Sequence, residues 1–552
     1  MQRGPLTLSL SKFMGRPFKP NISLIFLRNL HTMGVGPNEN DELFTYTSGR
    51  FLYNERCRLE ERQVSFNIGA LKDAAEKHVG HGKITSLQKL AEGGFNRIFL
   101  LTSEDGFQAV AKIPYSITVP KKYTIASEVA TTDLLRSKGV PVPRIFGWCA
   151  DSNNPVGVEY IIMEKASGIP LETRWFDLSK HERHYLVTSL VDIEKKLFDI
   201  PFGNFGSIYY KSDLPPDLRL DLYMSGTDPV MMSKDERFCI GPTTDYMFWY
   251  GQRADLEISR GPWKTPKDYL ISIGKREYEW TKRYGRSRSV KFPHVVHFEA
   301  INSPNEHIRH LNQYMGVAPY LLGSESHTDL SCPLLRHPGK ETLQRDMVTK
   351  ALVNIFIIQI LTLVTYLTLE KPSLPDNYDS LDPKQKSQAD ELYRRRTLFY
   401  IYMAFNGGLN KKHLSGMKDP RVLLSQHLVE RAEKQWSGDV FSLKGALIRI
   451  YENWHLFNAH LSEPLPCPIS FTQSEIDAYY EQEPTWFEMN GLVEYWKSEL
   501  GGLGDDGWVR TEAYEDTLKK SMELKQVLLE GSDTPEEERC VQEQWQFQDH
   551  EE

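Results

Sequence analysis

Residues 93–112 read GGFNRIFLLTSEDGFQAVAK, and their pattern gives the strongest indication of the fold class. Two glycines open it, and Arg97 to Ser103 then reads as a strand rich in apolar residues. Asp105-Gly106 follows as a tight hairpin turn, after which Phe107 to Ile113 reads as the next strand. The stretch therefore predicts an antiparallel hairpin that directly follows a glycine turn.

The flanking sequence extends this hairpin into a small sheet. Ile84 to Leu90 reads as a strand before the glycine turn, and Tyr123 to Lys138 has a helical pattern that Gly139 closes. Pro143 to Cys149 and Val158 to Glu164 read as two further strands. The sequence thus predicts five antiparallel strands with one helix inserted after the third.

Lys112 and Glu128 are the candidate nucleotide-binding pair. Lys112 ends the third strand in Ala-Val-Ala-Lys, which matches the pattern whose lysine meets the α- and β-phosphates of a nucleotide. Glu128 lies in the following helix, where the carboxylate partner of that lysine belongs. We expect a partly buried ion pair under Gly93 and Gly94, with Lys112 pointing into a cleft between two lobes. The alternative is a surface lysine on an edge strand and an exposed helical glutamate.

The rest of the chain completes a kinase-like order of elements. Glu164 and Ala166 follow the fifth strand, where the adenine-contacting hinge should lie, and the chain is mostly helical from Gly168 onward. The predicted fold class is α+β, a protein-kinase-like two-lobe fold with a small antiparallel β lobe and a large, mostly helical lobe. The predicted divisions are a leader over 1–38, a small β-rich nucleotide lobe over 39–166, a large phosphotransferase-like lobe over 167–510 with an insertion at about 210–300, and a C-terminal helix with an acidic tail over 511–552.

Composition excludes several classes of protein. The 552 residues are 40% hydrophobic and 25% charged, which is ordinary for a globular chain and unlike a collagen, a disordered tail or a multi-span membrane protein. The formal net charge of −8 argues against a surface built to hold nucleic acid. Six cysteines lie far apart without a C-x-x-C pair, which favours reduced thiols in an intracellular protein.

Three further segments allow two interpretations each. The uncharged run Ala351 to Leu369 just reaches a membrane-spanning length, but its polar side chains favour a buried core element over an integral span. His307 and His310 share one helical face, which we interpret as solvated because no further metal ligands accompany them. The acidic end of the chain reads most simply as a solvated tail, although Trp545 and Phe547 could dock.

The first 38 residues predict a mitochondrial address. They contain no Asp or Glu, whereas Arg3, Lys12, Arg16, Lys19 and Arg28 supply five positive charges among Leu, Ser and Phe. A basic, acid-free, amphipathic N-terminus is typical of a mitochondrial transit peptide. The alternative is a disordered tail that happens to lack acidic residues.

Several motifs resemble the fungal family called altered inheritance of mitochondria protein 9, a member of the aminoglycoside/choline phosphotransferase branch of the kinase-like fold. They cover about residues 42–520 and include Phe44-Thr45-Tyr46-Thr47-Ser48-Gly49-Arg50, Asn54-Glu55-Arg56-Cys57-Arg58-Leu59, Phe238-Cys239-Ile240-Gly241-Pro242, Arg260-Gly261-Pro262-Trp263 and Asp506-Gly507-Trp508-Val509. The resemblance implies a mitochondrial location, ATP and Mg²⁺ as the cofactors to test, and a mitochondrial partner that remains unknown.

The catalytic loop of this family, H-x-D-x-x-x-x-N, fits the chain poorly. His327-Thr328-Asp329 matches its start and makes Asp329 a candidate catalytic residue, but Leu334 stands where the asparagine belongs. In a second register His337 takes the loop position, and Gly339 replaces the aspartate. No Asp lies between Asp346 and Asp376, where the metal-binding aspartate is expected, so no metal ligand is assigned.

Three functions from different classes follow. The loop favours a kinase-fold protein with little or no phosphotransferase activity that acts as a mitochondrial interaction module. The alternatives are an active ATP-dependent small-molecule phosphotransferase and a defective gene product whose fold is only partly kept. A catalytic and a metal-binding aspartate would distinguish the active enzyme, because phosphoryl transfer needs both positioning and charge neutralisation.

Overall fold

The computed structural model of the chain describes residues 41–169, 171–298, 302–322, 371–458 and 463–550. In chain order, the helices of these ranges are α1 Asp41–Phe44, α2 Glu55–Arg62, α3 Ile68–Val79, α4 Lys121–Ser137, α5 Lys180–Phe198, α6 Pro229–Lys234, α7 Pro266–Tyr284, α8 Pro304–Val317, α9 Pro383–Leu409, α10 Lys411–Lys418, α11 Pro420–Ala432, α12 Phe441–Glu452, α13 Trp454–Asn458, α14 Gln473–Glu499, α15 Tyr514–Glu530 and α16 Pro535–Gln544. The strands are β1 Arg50–Phe51, β2 Ile84–Glu92, β3 Asn96–Ser103, β4 Gln108–Pro114, β5 Ile145–Cys149, β6 Tyr160–Glu164, β7 Ser207–Tyr210, β8 Phe238–Gly241 and β9 Trp508–Val509.

The small lobe is built on the predicted five-stranded sheet. Its strands lie in the order β2-β3-β4-β6-β5, and every neighbouring pair is antiparallel. Along β3 the side chains of Arg97, Phe99, Leu101 and Ser103 are buried in alternation, as expected of a strand with one face on the core. The helix α4 connects β4 to β5, which confirms the predicted order of three strands, one helix and two strands.

The insertion of residues 210–300 begins with a second small sheet. β7 and β8 pair antiparallel and pack against α4 on the side away from the five-stranded sheet. Tyr209 and Cys239 of this pair contact Ala126, and Phe238 packs near Leu134. Apolar residues therefore cover α4 on two of its faces, one against the five-stranded sheet and one against β7 and β8.

The large lobe is helical around one principal core. α7, α8, α11, α12 and α14 contribute buried residues to it, including Leu311, Tyr314 and Leu447. Ser179, Asp382 and Thr472 form capping boxes at the starts of α5, α9 and α14, which satisfy the first free amide groups of these helices. Within the described ranges, no helix has the length and apolarity needed to cross a membrane. The uncharged run Ala351 to Leu369 lies outside the described residues.

The chain ends in a folded layer rather than in a solvated tail. Trp545 and Phe547 follow α16 and are 1% and 5% exposed. Trp545 packs on Phe292 and Trp496, with ring centroids 6.2 and 5.4 Å apart. Docking is therefore confirmed and the solvated interpretation is wrong, because the aromatic residues bury enough surface to hold an acidic segment in place.

This layer joins the two ends of the described chain. β1 pairs antiparallel with β9, and the amide of Leu52 donates to the carbonyl of Gly507 at 2.8 Å. Glu92, at the end of β2, accepts hydrogen bonds from the amides of Thr47 and Ser48 in the same N-terminal segment. The residues around β1 thus link the glycine turn of the small lobe to the C-terminal layer.

Candidate functional site

The predicted contact between Lys112 and Glu128 is present. Lys112 lies near the end of β4 and Glu128 is the eighth residue of α4, so the two side chains meet between the sheet and the helix. Lys112 Nζ lies 2.5 Å from both Glu128 Oε1 and Oε2. A carboxylate that receives one ammonium through both oxygens fixes the position of that charge.

The expected partial exposure of this pair is wrong. Lys112 is 1% exposed and Glu128 is 5% exposed, so both charged groups are buried. Sequence patterns of the small lobe could not predict this, because part of the cover comes from Tyr246 of the distant insertion, which lines the same pocket as both residues. The burial also excludes the alternative of a surface lysine and an exposed glutamate.

The turn at Gly93 and Gly94 is held in place by hydrogen bonds, and the next two residues, Phe95 and Asn96, line the same pocket as Lys112 and Glu128. Gly93 donates its amide to the carbonyl of Asn96 at 2.9 Å, which closes the turn between β2 and β3. The carbonyl of Phe95 accepts from the amide of Tyr115 at 2.9 Å and also from the hydroxyl of Thr118. The turn is therefore held against the segment that connects β4 to α4.

The pocket beside the Lys112 ammonium is very small. It is lined by Phe95, Asn96, Lys112, Thr118, Val119, Thr124, Glu128 and Tyr246. The space in it that a water-sized sphere can occupy is about 10 Å³, which is room for about one water molecule. A phosphate group is larger than water, so the donor is suited to a nucleotide phosphate but the space in this conformation is not.

The hinge residues lie at the far end of β6. Glu164 is half exposed, and its carboxylate accepts from the amide of Arg144 at 3.0 Å and lies 3.9 Å from Arg136. Ala166 is exposed in the segment after β6. The structure therefore places Glu164 at the end of β6 that is away from the Lys112–Glu128 pair, with Ala166 just beyond it, and their contact with adenine stays a prediction.

Sequence reasoning missed six of the eight residues that line this pocket, among them Phe95, Thr118 and Tyr246. Phe95 directly follows the two glycines, and its position next to them was the one local signal. Thr118 belongs to a loop without a motif, and Tyr246 comes from the insertion. No sequence pattern connects Tyr246 with Lys112, because the contact depends on how the insertion folds back onto the small lobe.

The catalytic-loop candidates Asp329, His337 and Gly339 lie outside the described residues, as does the leader over 1–38. Among the described residues, no group of three or more His, Cys, Asp or Glu side chains is arranged to hold a metal ion.

His307 and His310 are 3% and 1% exposed, so their interpretation as a solvated face is wrong. Burial lowers the pKa of His310 to about 3, with the nearby charge of Arg309 adding to the effect. Both residues pack in the interior of the large lobe, where the His307 ring centroid lies 5.3 Å from that of Trp436.

Comparisons with known proteins agree with the resemblance. The chain is 28% identical to a subtelomeric hrmA-associated cluster protein of Aspergillus fumigatus over 519 residues, 84% of this chain and 97% of that protein. It is 21% identical to the altered inheritance of mitochondria protein 9 of Saccharomyces cerevisiae over 88% of this chain and 89% of that protein. The protein of the same name from Yarrowia lipolytica is 30% identical over 42% of this chain and 44% of its own length. No family model matches the chain.

A search of solved structures found the streptomycin–ATP–APH(2″)-IIa ternary complex, at 11% identity and a TM-score of 0.25, covering 61% of this chain and 99% of that chain. The kinase-like fold of the present chain rests on its own strand order, the position of α4 and the Lys112–Glu128 pair. The yeast relatives are named as mitochondrial proteins, which confirms the predicted mitochondrial location. The chain is thus similar over most of its length to the fungal proteins named altered inheritance of mitochondria protein 9.

Proposed function

We propose that this chain is a mitochondrial kinase-fold protein that keeps the lysine–glutamate pair of a nucleotide site but has little or no phosphotransferase activity. The main support for the proposal is that the Lys112–Glu128 pair is formed but closed off from a ligand. Lys112 and Glu128 are in direct contact, yet the pocket beside them has room for about one water molecule. An enzyme that turns over ATP needs the same lysine to be reachable by phosphate oxygens.

The loop sequence supports the same proposal independently. In the register that best fits the family, Gly339 stands where an aspartate would orient the acceptor hydroxyl. No Asp occupies the segment in which the metal-binding aspartate is expected. Without that carboxylate, the loss of charge neutralisation in the transition state would be on the order of several kcal/mol. We therefore favour a role as an interaction module with a mitochondrial partner over a role in metabolism.

Turnover of ATP by the purified full-length protein tests this proposal. We expect hydrolysis in the presence of Mg²⁺, with and without small hydroxyl- and amine-bearing acceptors, to be no faster for the wild type than for Lys112→Ala. Lys83→Ala is the matched control, because Lys83 is exposed at the start of β2 and distant in sequence from the pair.

The opposite result is expected if the first register of the catalytic loop is the correct one. Metal-dependent ATP turnover well above the Lys112→Ala background, abolished by Asp329→Ala, would overturn the proposal. It would show that His327-Thr328-Asp329 forms a working loop and that the chain is an active phosphotransferase.

A further inference from the structure

Residues 243–255 of the insertion, which we call the interlobe brace, close over the Lys112–Glu128 pair. Tyr246 of the brace lines the pocket, and its ring lies 5.5 Å from that of Phe95 at an interplanar angle of 71°. This edge-to-face contact joins the insertion to the residue that follows the glycine turn. Both rings line the pocket beside the Lys112 ammonium.

We infer that the interlobe brace is an autoinhibitory contact, in which Tyr246 and Phe95 seal the phosphate pocket until the brace or the glycine turn is displaced. The inference rests on the proposed function, since it concerns access to the same lysine. It also accounts for the disagreement between a donor suited to phosphate and a pocket with no space for it.

The brace is anchored in the large lobe. Phe248 is fully buried in the principal core, and its ring lies 5.7 Å from that of Trp263. The guanidinium of Arg276 on α7 lies over the Phe248 ring at 4.7 Å and 3.8 Å from the Asp245 carboxylate. Asp245 in turn accepts from the amide of Met247 and so caps the short turn that carries Tyr246.

The brace is also anchored in the small lobe. Tyr250 stacks on Tyr246 with centroids 4.5 Å apart, and its hydroxyl donates to Glu61 on α2 at 2.8 Å. Trp249 contacts Tyr123 on α4, with ring centroids 5.6 Å apart. Because side chains of both lobes hold the brace, Tyr246 is a fixed cover and not a loose surface ring.

The glycine turn is the second half of the seal. Its Phe95 carbonyl is held by the amide of Tyr115 and the hydroxyl of Thr118, which fixes the backbone of the turn next to Tyr246. Entry of a phosphate therefore requires that the Phe95 ring or Tyr246 moves aside. A ligand or partner that displaces the brace would expose Lys112.

Access to Lys112 can be measured by pulsed acylation of the full-length protein with an amine-reactive acetylating reagent, read by mass spectrometry of peptides. Exposed Lys83 serves as the internal standard in the same molecule. We expect Lys112 in the wild type to react at least about tenfold more slowly than Lys83, because reaction must wait for local opening. Equal rates for the two lysines in the wild type would overturn the inference without any variant.

Two variants open the seal from opposite sides. Tyr246→Ala and Phe95→Ala should each accelerate acylation of Lys112 by at least about tenfold, whereas Tyr246→Phe keeps the ring and should stay near the wild-type rate. The Lys112–Glu128 pair is present in all of them, so the ratio of rates reports access. Circular dichroism and a cooperative urea transition establish that a variant is folded, and the Lys83 rate corrects for the amount of reagent. A folded Tyr246→Ala protein in which Lys112 remains as slow as in the wild type would overturn the inference.

Calorimetric titration of Tyr246→Ala with ATP and Mg²⁺ separates this inference from the proposed function. Tighter binding to Tyr246→Ala than to the wild type supports both. Fast acylation of Lys112 without ATP binding supports the seal and refutes the retained nucleotide site. Tight binding of ATP by the wild type, with Lys112 already reactive, refutes the seal and leaves the nucleotide site in place.

Discussion

The backbone of Gly49 lies directly against the indole ring of Trp508. A Cβ added at Gly49 would lie 2.6 Å from the carbonyl oxygen of Val509 and closer still to Trp508 Nε1. The indole donates to the hydroxyl of Tyr46 at 2.9 Å, and Val509 belongs to β9, which pairs with β1. Neither neighbour can move without breaking the junction between the two ends of the described chain.

Gly49→Ala should therefore destabilise the protein, because the added methyl group overpacks a contact that includes backbone. We expect a loss of about 1–3 kcal/mol in the free energy of unfolding, measured by urea denaturation. Gly491→Ala is the control, since Gly491 is exposed within α14 and a Cβ there would meet nothing within 4 Å. This control should be neutral or stabilising by up to about 1 kcal/mol, as alanine favours helices. Equal unfolding midpoints for Gly49→Ala and the wild type would contradict the tight junction.

Trp545→Ala tests the folded C-terminal layer. The indole is 1% exposed among Phe292, Trp496 and Phe547, so its removal leaves a cavity. We expect a loss of about 3–5 kcal/mol of stability in urea denaturation. Phe487→Ala, at a side chain that is 58% exposed on α14, should change stability by no more than about 0.5 kcal/mol. Equal small effects of both substitutions would mean that the acidic end is not part of the core.

Glu277→Gln tests a buried set of three charges in the large lobe. Glu277 is fully buried, and it accepts from Arg253 Nη2 at 2.6 Å and from Arg276 Nε at 2.7 Å. Removing its charge leaves two buried guanidinium groups without their shared counterion, which should cost about 3–5 kcal/mol in urea denaturation. Glu306→Gln, in an exposed pair with Arg309, should cost less than about 1 kcal/mol. A small effect at Glu277 would mean that water or another carboxylate compensates the two arginines.

The strands of the small lobe could be predicted because their signals are local. Alternation of apolar residues, the Asp105-Gly106 turn and the glycines at 93 and 94 each act within a few residues. The contact between Lys112 and Glu128 could be predicted for the same reason, since it follows from one strand and the next helix. Helix ends were less predictable, since α12 ends at Glu452 and α13 begins at Trp454 with only Asn453 between them.

The burial of the charged and histidine side chains could not be predicted from the sequence. Lys112 and Glu128 line a pocket together with Tyr246, and β7 and β8 cover another face of α4, all of which lie more than 75 residues beyond Glu128. His307 and His310 read as polar positions on a helix, yet they lie on the same face of α8 as Leu311 and Tyr314, which pack in the large-lobe core. Such environments depend on which distant segments meet, and one sequence taken by itself carries no direct signal of that.

Glu194 on α5 provides a prediction about pH. It is buried against α9 and α10, where the Tyr402 hydroxyl donates to its two oxygens at 2.8 and 3.0 Å and His413 Nδ1 lies 3.7 Å away. Burial raises the pKa of Glu194 to about 8, although the hydrogen bonds from Tyr402 oppose the shift. The folded protein therefore keeps a proton that the unfolded chain releases near pH 4.3.

The sign of the effect follows from this difference in bound protons. Stability contributed by protonated Glu194 is fully present below about pH 4.3 and is lost as the pH rises through about 8, because the folded state alone binds the proton in between. Glu194→Gln keeps an oxygen that accepts from Tyr402 but cannot titrate, so the wild type should lose stability relative to Glu194→Gln between pH 5 and 8. Urea unfolding midpoints of both proteins, measured at half-unit steps of pH, give this difference directly. Tyr402→Phe should extend the loss above pH 8, since it removes the hydrogen bonds that favour the carboxylate. Parallel pH profiles for the wild type and Glu194→Gln would contradict the raised pKa.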